Sequence, residues 1–539
     1  MLFIKDFSFD NLRGDIYGGL TAAVVALPLA LAFGVASGLG PLAGMYGAII
    51  VGFFAAIFGG TPAQISGPTG PMTVVMTAVV VHFSYNPAIA FTIVMLGGVF
   101  QILFGVFKFG RYINLVPYPV ISGFMSGIGC IIIILQLAPF VGQVASGSPL
   151  KSLLALPAWF SNIHSSALIL GLIALAIVCF IPQRLNRYIP GPLLALVVGT
   201  TIGVLFLNDA TIIGEIPSGL PVLQMPVFSI DEFALIIKYS LVLAFLGSID
   251  SLLTSLISDS ITRTHHESDR ELFGQGIGNI VSGLFGGLPG AGATMRTVVN
   301  VRAGGRTPVS GALHALILLM MVLGLGSFAE HIPHAVLAGI LLKVGVNIVD
   351  WNYLQRVRSA PRSGVLIMLT TFSLTVLVDL ITAVTVGTVM ASLLFVKRMS
   401  DSQAASMKIV GGSGDWTELT DEEVEILESS GGRIVLFHIE GPMSFGSAKG
   451  IVRLLATDRE KDVLIIDFTD VPFIDSTASF ALEEVILKAK SDNDHVVLCS
   501  LSPTVEKVLR QIGVSKLLPE THITQSRLEA LKLSEQILT

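Results

Sequence analysis

Phe58-Gly59-Gly60-Thr61-Pro62, running through Ser66-Gly67-Pro68-Thr69-Gly70-Pro71 to Met72-Thr73-Val74-Val75, has a near copy far down the chain. There the residues are Phe285-Gly286-Gly287-Leu288-Pro289, then Gly290-Ala291-Gly292-Ala293-Thr294, then Arg296-Thr297-Val298-Val299. Prolines remove amide donors and glycines favour non-helical dihedrals, so neither stretch reads as the interior of an ordinary helix. A half-helix is expected to begin near Thr69 in the first copy and just ahead of Arg296 in the second. Short, Gly/Pro-broken hydrophobic pieces at corresponding places in two halves point to the binding site of a repeat-built secondary transporter. If the copies are inverted, the two half-helix N-termini face each other at the membrane midplane. They then present free N–H groups and positive dipole ends, an anion cradle. Packing of small residues between helices would explain the glycines but neither the prolines nor the shared register.

The surrounding composition is that of an integral membrane protein. Of 539 residues, 52% are hydrophobic and 13% charged, with a mean hydropathy of +0.79. Windows near the roughly 20 residues that cross a bilayer fall at 17–37, 43–60, 87–107, 118–141, 166–182, 190–207, 236–258, 307–328, 334–350, 364–380 and 382–397. The shorter or broken pieces 63–82, 271–287 and 289–300 span only if protein shields their irregular backbone. The expected fold is therefore an α-helical membrane protein of about fourteen segments. Basic residues gather after the even-numbered segments (Lys108 and Arg111, Arg184 and Arg187, Arg302 and Arg306, Lys397 and Arg398), while odd connections are nearly bare apart from Lys151. The positive-inside rule then predicts both termini on the cytoplasmic side of a bacterial-type plasma membrane. The N-terminal stretch Lys5 to Arg13 is charged and amphipathic and lacks a cleavable signal pattern.

Residues 399–539 hold 13 Lys and Arg against 23 Asp and Glu, whereas 1–398 hold 19 against 15. An acidic tail is repelled by an anionic leaflet, so the expected organisation is a transmembrane domain (1–398), a linker (399–430) with an acidic helix at 420–428, and a cytoplasmic domain (431–539). In that last part, strands at 433–439, 462–468 and 495–500 alternate with helices at 446–456, 476–490 and 503–511, a small α/β domain. Asp475 or Ser476 is placed to cap the helix that follows, and Ser476 is also a candidate phosphorylation site. Cys130, Cys179 and Cys499 sit in apolar runs without ligand spacing and read as buried thiols.

Inside the membrane region, Asp250 lies in the apolar run Leu246-Gly247-Ser248-Ile249-Asp250-Ser251-Leu252-Leu253-Thr254. A carboxylate there costs about 2.5–3.5 kcal/mol on insertion scales and needs a partner or a wet cavity. Thr254, one turn on, shares its face. These oxygens and the carbonyls of 290–294 suit Na+; an ion pair with Arg296 and a protonation site remain open alternatives. Asp259 reads as paired with Arg263, and His265 and His266 as solvated loop residues. Neither Gly274-Gln275-Gly276-Ile277-Gly278 nor the 286–292 glycines lead into a P-loop lysine, so ATP is not expected to drive the protein. Nothing has the spacing of a hydrolytic triad or an acid/base carboxylate pair, so no enzyme activity, cofactor or nucleic-acid partner is expected.

The chain resembles the sulfate permease (SulP) family of anion transporters from end to end. The residues carrying the likeness are Gly18-Gly19-Leu20-Thr21-Ala22 with Leu27-Pro28, the Gly59 to Gly70 stretch, Asp250-Ser251-Leu252-Leu253, and Gly292-Ala293-Thr294 to Asn300. Asp467 to Thr477 is similar to the STAS pattern. This resemblance implies fourteen spans as two inverted seven-segment repeats, a cytoplasmic STAS domain, a homodimer arranged through the tail, and a regulatory partner of that domain. Leu27 to Phe33 and Val120 to Gly129 look most like the sodium-dependent bicarbonate transporters of the family. By that likeness the anion belongs near Thr69, Gly70, Ala293, Thr294 and Arg296, and Na+, the coupling ion it implies, near Asp250, Thr254, Gly292 and Thr294. Leu29 stands where many relatives carry Gln or Glu, and Arg296 matches an arginine common in sulfate-type members.

The expected function is uptake of a small inorganic oxyanion, bicarbonate by Na+ symport. Sulfate or dicarboxylate transport coupled to protons or to anion exchange is the alternative. A membrane receptor signalling through the tail is a further one.

Overall fold

The apolar windows fold as helices, and the pattern of their contacts repeats between the two halves. The computed structural model describes residues 9–539 except 84–85, 114–115, 145–148, 183–184, 186–188, 215–221, 229–230, 379, 406–407, 411–418 and 445–460. Among the described residues, the first half contains α1 (Leu12–Ser37), α2 (Pro41–Phe58), α3 (Gly70–His82), α4 (Pro87–Val106), α5 (Tyr118–Phe140), α6 (Ser165–Phe180) and α7 (Gly191–Phe206). The second half contains α8 (Phe233–Thr262), α9 (Ser268–Leu284), α10 (Thr294–Ala303), α11 (Pro308–Ala329), α12 (His334–Ile348), α13 (Arg362–Leu377) and α14 (Leu380–Ala405). Short helices at Gly110–Ile113, Pro149–Ser161 and Trp351–Gln355 lie in the connections.

Counting by length and composition, 6 helices are long and apolar enough to cross a membrane, or up to 8 if each sharply bent pair is one span. Others are shorter apolar helices, α3, α7, α12 and α13 among them. Segments this short stay in a bilayer because neighbouring protein covers their ends.

α1 packs on α11 as α8 packs on α4, α2 on α11 as α9 on α4, α1 on α3 as α8 on α10, and α5 on α13 as α12 on α6. Exchanging each helix with the one seven places later maps these contacts onto one another, as a two-repeat fold requires. The same contacts sort the helices into two bundles. One is built from α1–α4 with α8–α11, and the other from α5–α7 with α12 and α13.

At the centre of the first bundle the chain is not helical. β1 (Ser66–Gly67) and β2 (Ala291–Gly292) pair antiparallel, Ser66 opposite Gly292 and Gly67 opposite Ala291. Buried backbone must be paired, and this short crossover pairs the broken stretch of one half with that of the other. Gly67 has φ +149°, a backbone conformation that side-chain-bearing residues rarely adopt, so the position favours glycine.

By its contacts the chain divides into Met1–Val389 and Met390–Thr539. The second unit holds a five-stranded sheet in the order β3 (Lys408–Val410), β4 (Ile434–Glu440), β5 (Val463–Asp470), β6 (His495–Cys499), β7 (Ile523–Thr524). β3 is antiparallel to β4 and the remaining pairs are parallel. The stretch read from sequence as a linker thus contains the end of α14, strand β3 and helix α15 (Asp421–Ser429). Ile426 and Leu427 of α15 share a buried cluster with Leu436 and Ile465 of the sheet and with Ala530 and Leu531 of a helix at Arg527–Leu538. On the same sheet His438 donates to Asp467 at 2.9 Å and lies 3.2 Å from Asp470. The helix expected at 446–456 lies outside the described residues.

Candidate functional site

The two half-helices start where the broken stretches predict. α3 begins at Gly70 behind Thr69, whose φ of −122° and ψ of 164° are extended, and α10 begins at Thr294 behind Ala293. The first amides of a helix have no partner within it, so both helices direct donor-rich ends at the crossover. The two stretches are bound tightly together. Ala293 N–H donates to Ile65 C=O at 2.8 Å, Thr297 Oγ1 accepts from Ile65 N–H at 3.0 Å, and Asn300 Nδ2 donates to Ala63 C=O at 2.9 Å.

Three of the four residues predicted to hold a cation are in mutual contact. Thr254 Oγ1, fully buried on α8, donates to Gly292 C=O at 3.0 Å and lies 2.8 Å from Thr294 Oγ1. Asp250 is one helical turn away on the same face, half-buried, and its Oδ2 is enclosed without a hydrogen bond. Its electrostatic neighbours are Thr69 and Arg296. A carboxylate oxygen, two hydroxyls and a backbone carbonyl form an all-oxygen donor set, the chemistry of a hard cation.

The anion-side residues lie across the crossover. Thr69 is buried and its hydroxyl makes no hydrogen bond. Arg296, 2% exposed, donates from one terminal nitrogen to Pro68 C=O at 2.6 Å while the other has no partner. Asp250 and Arg296 form no direct ion pair; instead Arg296 fastens the second repeat to the first and keeps one N–H pair for another acceptor. Two predicted amides are already engaged, since Ala293 N–H bonds Ile65 and Gly292 N–H bonds Ser251 Oγ at 3.0 Å. The donors left for an anion at this end therefore belong to the first turn of α10 from Thr294 onward.

Other expectations need correction. Asp259 pairs with the ring of His266 at 2.7 Å rather than with Arg263, and His266 is largely buried while His265 is exposed. Arg263 closes α8 in the left-handed region, φ +58°, so its backbone turns out of helical register before its side chain can run back to Asp259. In the tail, Asp475 takes the cap, accepting from Ala478 N–H at 2.8 Å, and Ser476 is an exposed first helical residue of α16 (Ser476–Ser491). Of the cysteines only Cys499 is buried; Cys130 is half-buried and Cys179 exposed.

Several functional-looking residues carried little sequence signal. Glu271, Gln275 and Asn279 recur every fourth residue along α9, a polar stripe at helical spacing, and all are buried. Asn279 brackets Gly290 with two hydrogen bonds, Nδ2 to its C=O at 3.0 Å and Oδ1 from its N–H at 2.7 Å. On α1, buried Asp15 accepts from Arg306 N–H, Thr307 N–H and Thr307 Oγ1 at 2.8, 3.1 and 2.7 Å, holding the start of α11.

Residues 12–371 match the sulfate permease family and 428–530 the STAS domain. The bicarbonate transporters BicA of Picosynechococcus sp. and Synechocystis sp. are each 49% identical to the chain over 99% of it and 96% of their own length. The putative sulfate transporter YvdB of Bacillus subtilis is 30% identical over 96% of the chain and 97% of its own. The solved transmembrane domain of a cyanobacterium BicA aligns with a TM-score of 0.67 at 53% identity, covering 70% of this chain and 99% of that one. SLC26A9 aligns over 100% of this chain and 92% of its own with a TM-score of 0.84 at 18% identity, a likeness of fold. The chain therefore belongs to the sulfate permease family, an anion transporter with a multi-pass membrane domain followed by a STAS domain.

Proposed function

We propose that this protein takes up bicarbonate in symport with Na+. The observation that carries the proposal is the contact of Thr254 Oγ1, Thr294 Oγ1 and Gly292 C=O beside the unpartnered Asp250 oxygen. A set of hard oxygens thus adjoins the N-terminus of α10. Support also comes from the two relatives named bicarbonate transporters, which match the chain nearly end to end.

Coupling follows from electrostatics. Each helix N-terminus carries roughly half a positive charge, and Arg296 adds a full one, so an anion is drawn to the gap between α3 and α10. The ionised Asp250 opposes it: like charges 4 Å apart repel by about 4 kcal/mol at an effective dielectric of 20. Na+ on Asp250 cancels that repulsion, so each ion raises the affinity of the other. Alternating access then comes from the bundle of α5–α7 with α12 and α13 moving against the bundle that holds the site. In this picture both termini are cytoplasmic and the protein works as a homodimer in a bacterial-type plasma membrane.

A second reading, sulfate or dicarboxylate transport coupled to protons or to anion exchange, is favoured by the free nitrogen of Arg296, a fixed positive charge that could stand in for a travelling cation. A radiolabelled uptake panel in proteoliposomes with bicarbonate, sulfate and chloride, with the Na+ gradient on and off, separates the two. Bicarbonate uptake that requires Na+ supports symport, and Na+-independent sulfate uptake supports the second reading.

A further inference from the structure

Glu271 has no part in the transport scheme above, yet it is 1% exposed in the membrane unit and forms no ion pair among the described residues. A buried carboxylate without a counter-charge costs several kcal/mol unless hydrogen bonds replace its hydration. Three do: Gly60 N–H donates to Oε2 at 3.0 Å, and Gln64 Nε2 and Gln275 Nε2 donate to Oε1 at 2.7 and 2.8 Å.

The orientation of the two glutamines follows from the charge. An ionised carboxylate only accepts, so both side chains must present their NH2 groups to it. The oxygen of Gln64 is then turned to Ser255 Oγ, 3.1 Å away and adjacent in sequence to Thr254. Its nitrogen lies against Gly292, where a Cβ would come within 2.4 Å. Gln275 Nε2 also donates to Ser66 Oγ at 2.6 Å, and Ser66 is the strand partner of Gly292. Through two amides a single carboxylate reaches both strands of the crossover.

We infer that Glu271 is a positioning residue for the transport site: its charge fixes the amides of Gln64 and Gln275, and these hold Ser66 against Gly292 with the Gly292 carbonyl turned toward Thr254. The inference rests on the cation site proposed above. Glutamine at 271 offers a donor as well as an acceptor, so the Gln64 and Gln275 amides are free to flip and the crossover is no longer held in one register.

The test uses the full chain in proteoliposomes and compares wild type, Glu271→Gln, and the exchange variant Gln64→Glu/Glu271→Gln, which restores a carboxylate–amide pair between the same two positions. Glu271→Gln is expected to raise the Na+ KM by about tenfold or more, with Vmax within about threefold of wild type. The exchange variant is expected to return KM to within about threefold. A purely structural role lowers Vmax with the active fraction and leaves KM alone, and that result overturns the proposal. So does an unchanged KM in well-folded Glu271→Gln. If that variant does not fold, the exchange variant decides: recovery of folding and of KM upholds the proposal, and failure of either overturns it. Should wild type carry its anion without Na+, the Na+ assignment fails on its own, and Glu271 is judged by the same criteria on the anion KM.

Discussion

Replacing Thr254 by valine keeps the volume and the β-branch of a fully buried side chain and removes one hydroxyl. That hydroxyl donates to Gly292 C=O at 3.0 Å and meets Thr294 Oγ1 at 2.8 Å, so a buried carbonyl and a half-buried hydroxyl each lose a neighbour. A buried polar group left without its partner costs about 1–3 kcal/mol, enough to lower the melting temperature without unfolding the protein. For Na+ the loss is one of four ligand oxygens in the proposed set. At 1.4 kcal/mol per decade, even a single hydrogen-bond equivalent raises the Na+ KM about tenfold. The half-helix amides and Arg296 are untouched, so Vmax at saturating Na+ and the bicarbonate KM under that condition stay within about threefold. Initial rates of radiolabelled bicarbonate uptake against external Na+ give these constants, and tryptophan fluorescence during heating gives stability. A folded Thr254→Val protein whose Na+ KM stays within about twofold of wild type refutes Thr254 as a ligand.

Arg296→Gly removes a fixed positive charge and the bond to Pro68 C=O; the anion KM is expected to rise by about tenfold or more, with a smaller effect on folding, measured by uptake kinetics beside a melting curve. Asp475→Ala deletes a helix cap and should destabilise α16 by about 1 kcal/mol, visible as faster hydrogen exchange over 476–482 with transport intact. Burial alone would raise the Asp467 carboxyl, but hydrogen bonds from His438 and Thr469 outweigh it and hold it below the ordinary carboxylate range. A depressed carboxyl stabilises the fold above its unfolded value of about 3.9 and loses that contribution as pH falls through its lower folded value. Hydrogen exchange of β4 and β5 in wild type should therefore accelerate as pH falls below about 4, and Asp467→Asn should remove that acid-dependent step.

What the sequence revealed best was the backbone. Pro68, Gly290 and Gly292 break the helix and Pro71 suits the first turn of a new one, so the breaks, the starts of α3 and α10, and the meeting of the two stretches were all legible. Asp250 and Thr254 were legible because a carboxylate in an apolar run has to be accounted for, and a hydroxyl one turn away shares its face; Thr294 entered only through the family resemblance. Contacts between distant segments were not. Gln64 reads as an ordinary loop residue until its partner Glu271, 207 positions on, is brought beside it. Arg296 near Asp250 left an ion pair open, and only the fold turns the guanidinium to Pro68. Strand β3 is three residues at a sheet edge, too short for any alternation to show. The choice between Asp475 and Ser476 as the cap stayed open because both are good caps, and only ψ of 173° at Asp475 marks the last non-helical position.

The most direct measurement is ion-driven accumulation of sodium. Proteoliposomes holding wild-type protein, with equal Na+ on both sides and bicarbonate outside alone, should concentrate radioactive sodium inward against no gradient of its own, and Asp250→Asn should abolish that movement. Sodium that stays at equilibrium while bicarbonate enters contradicts the symport account.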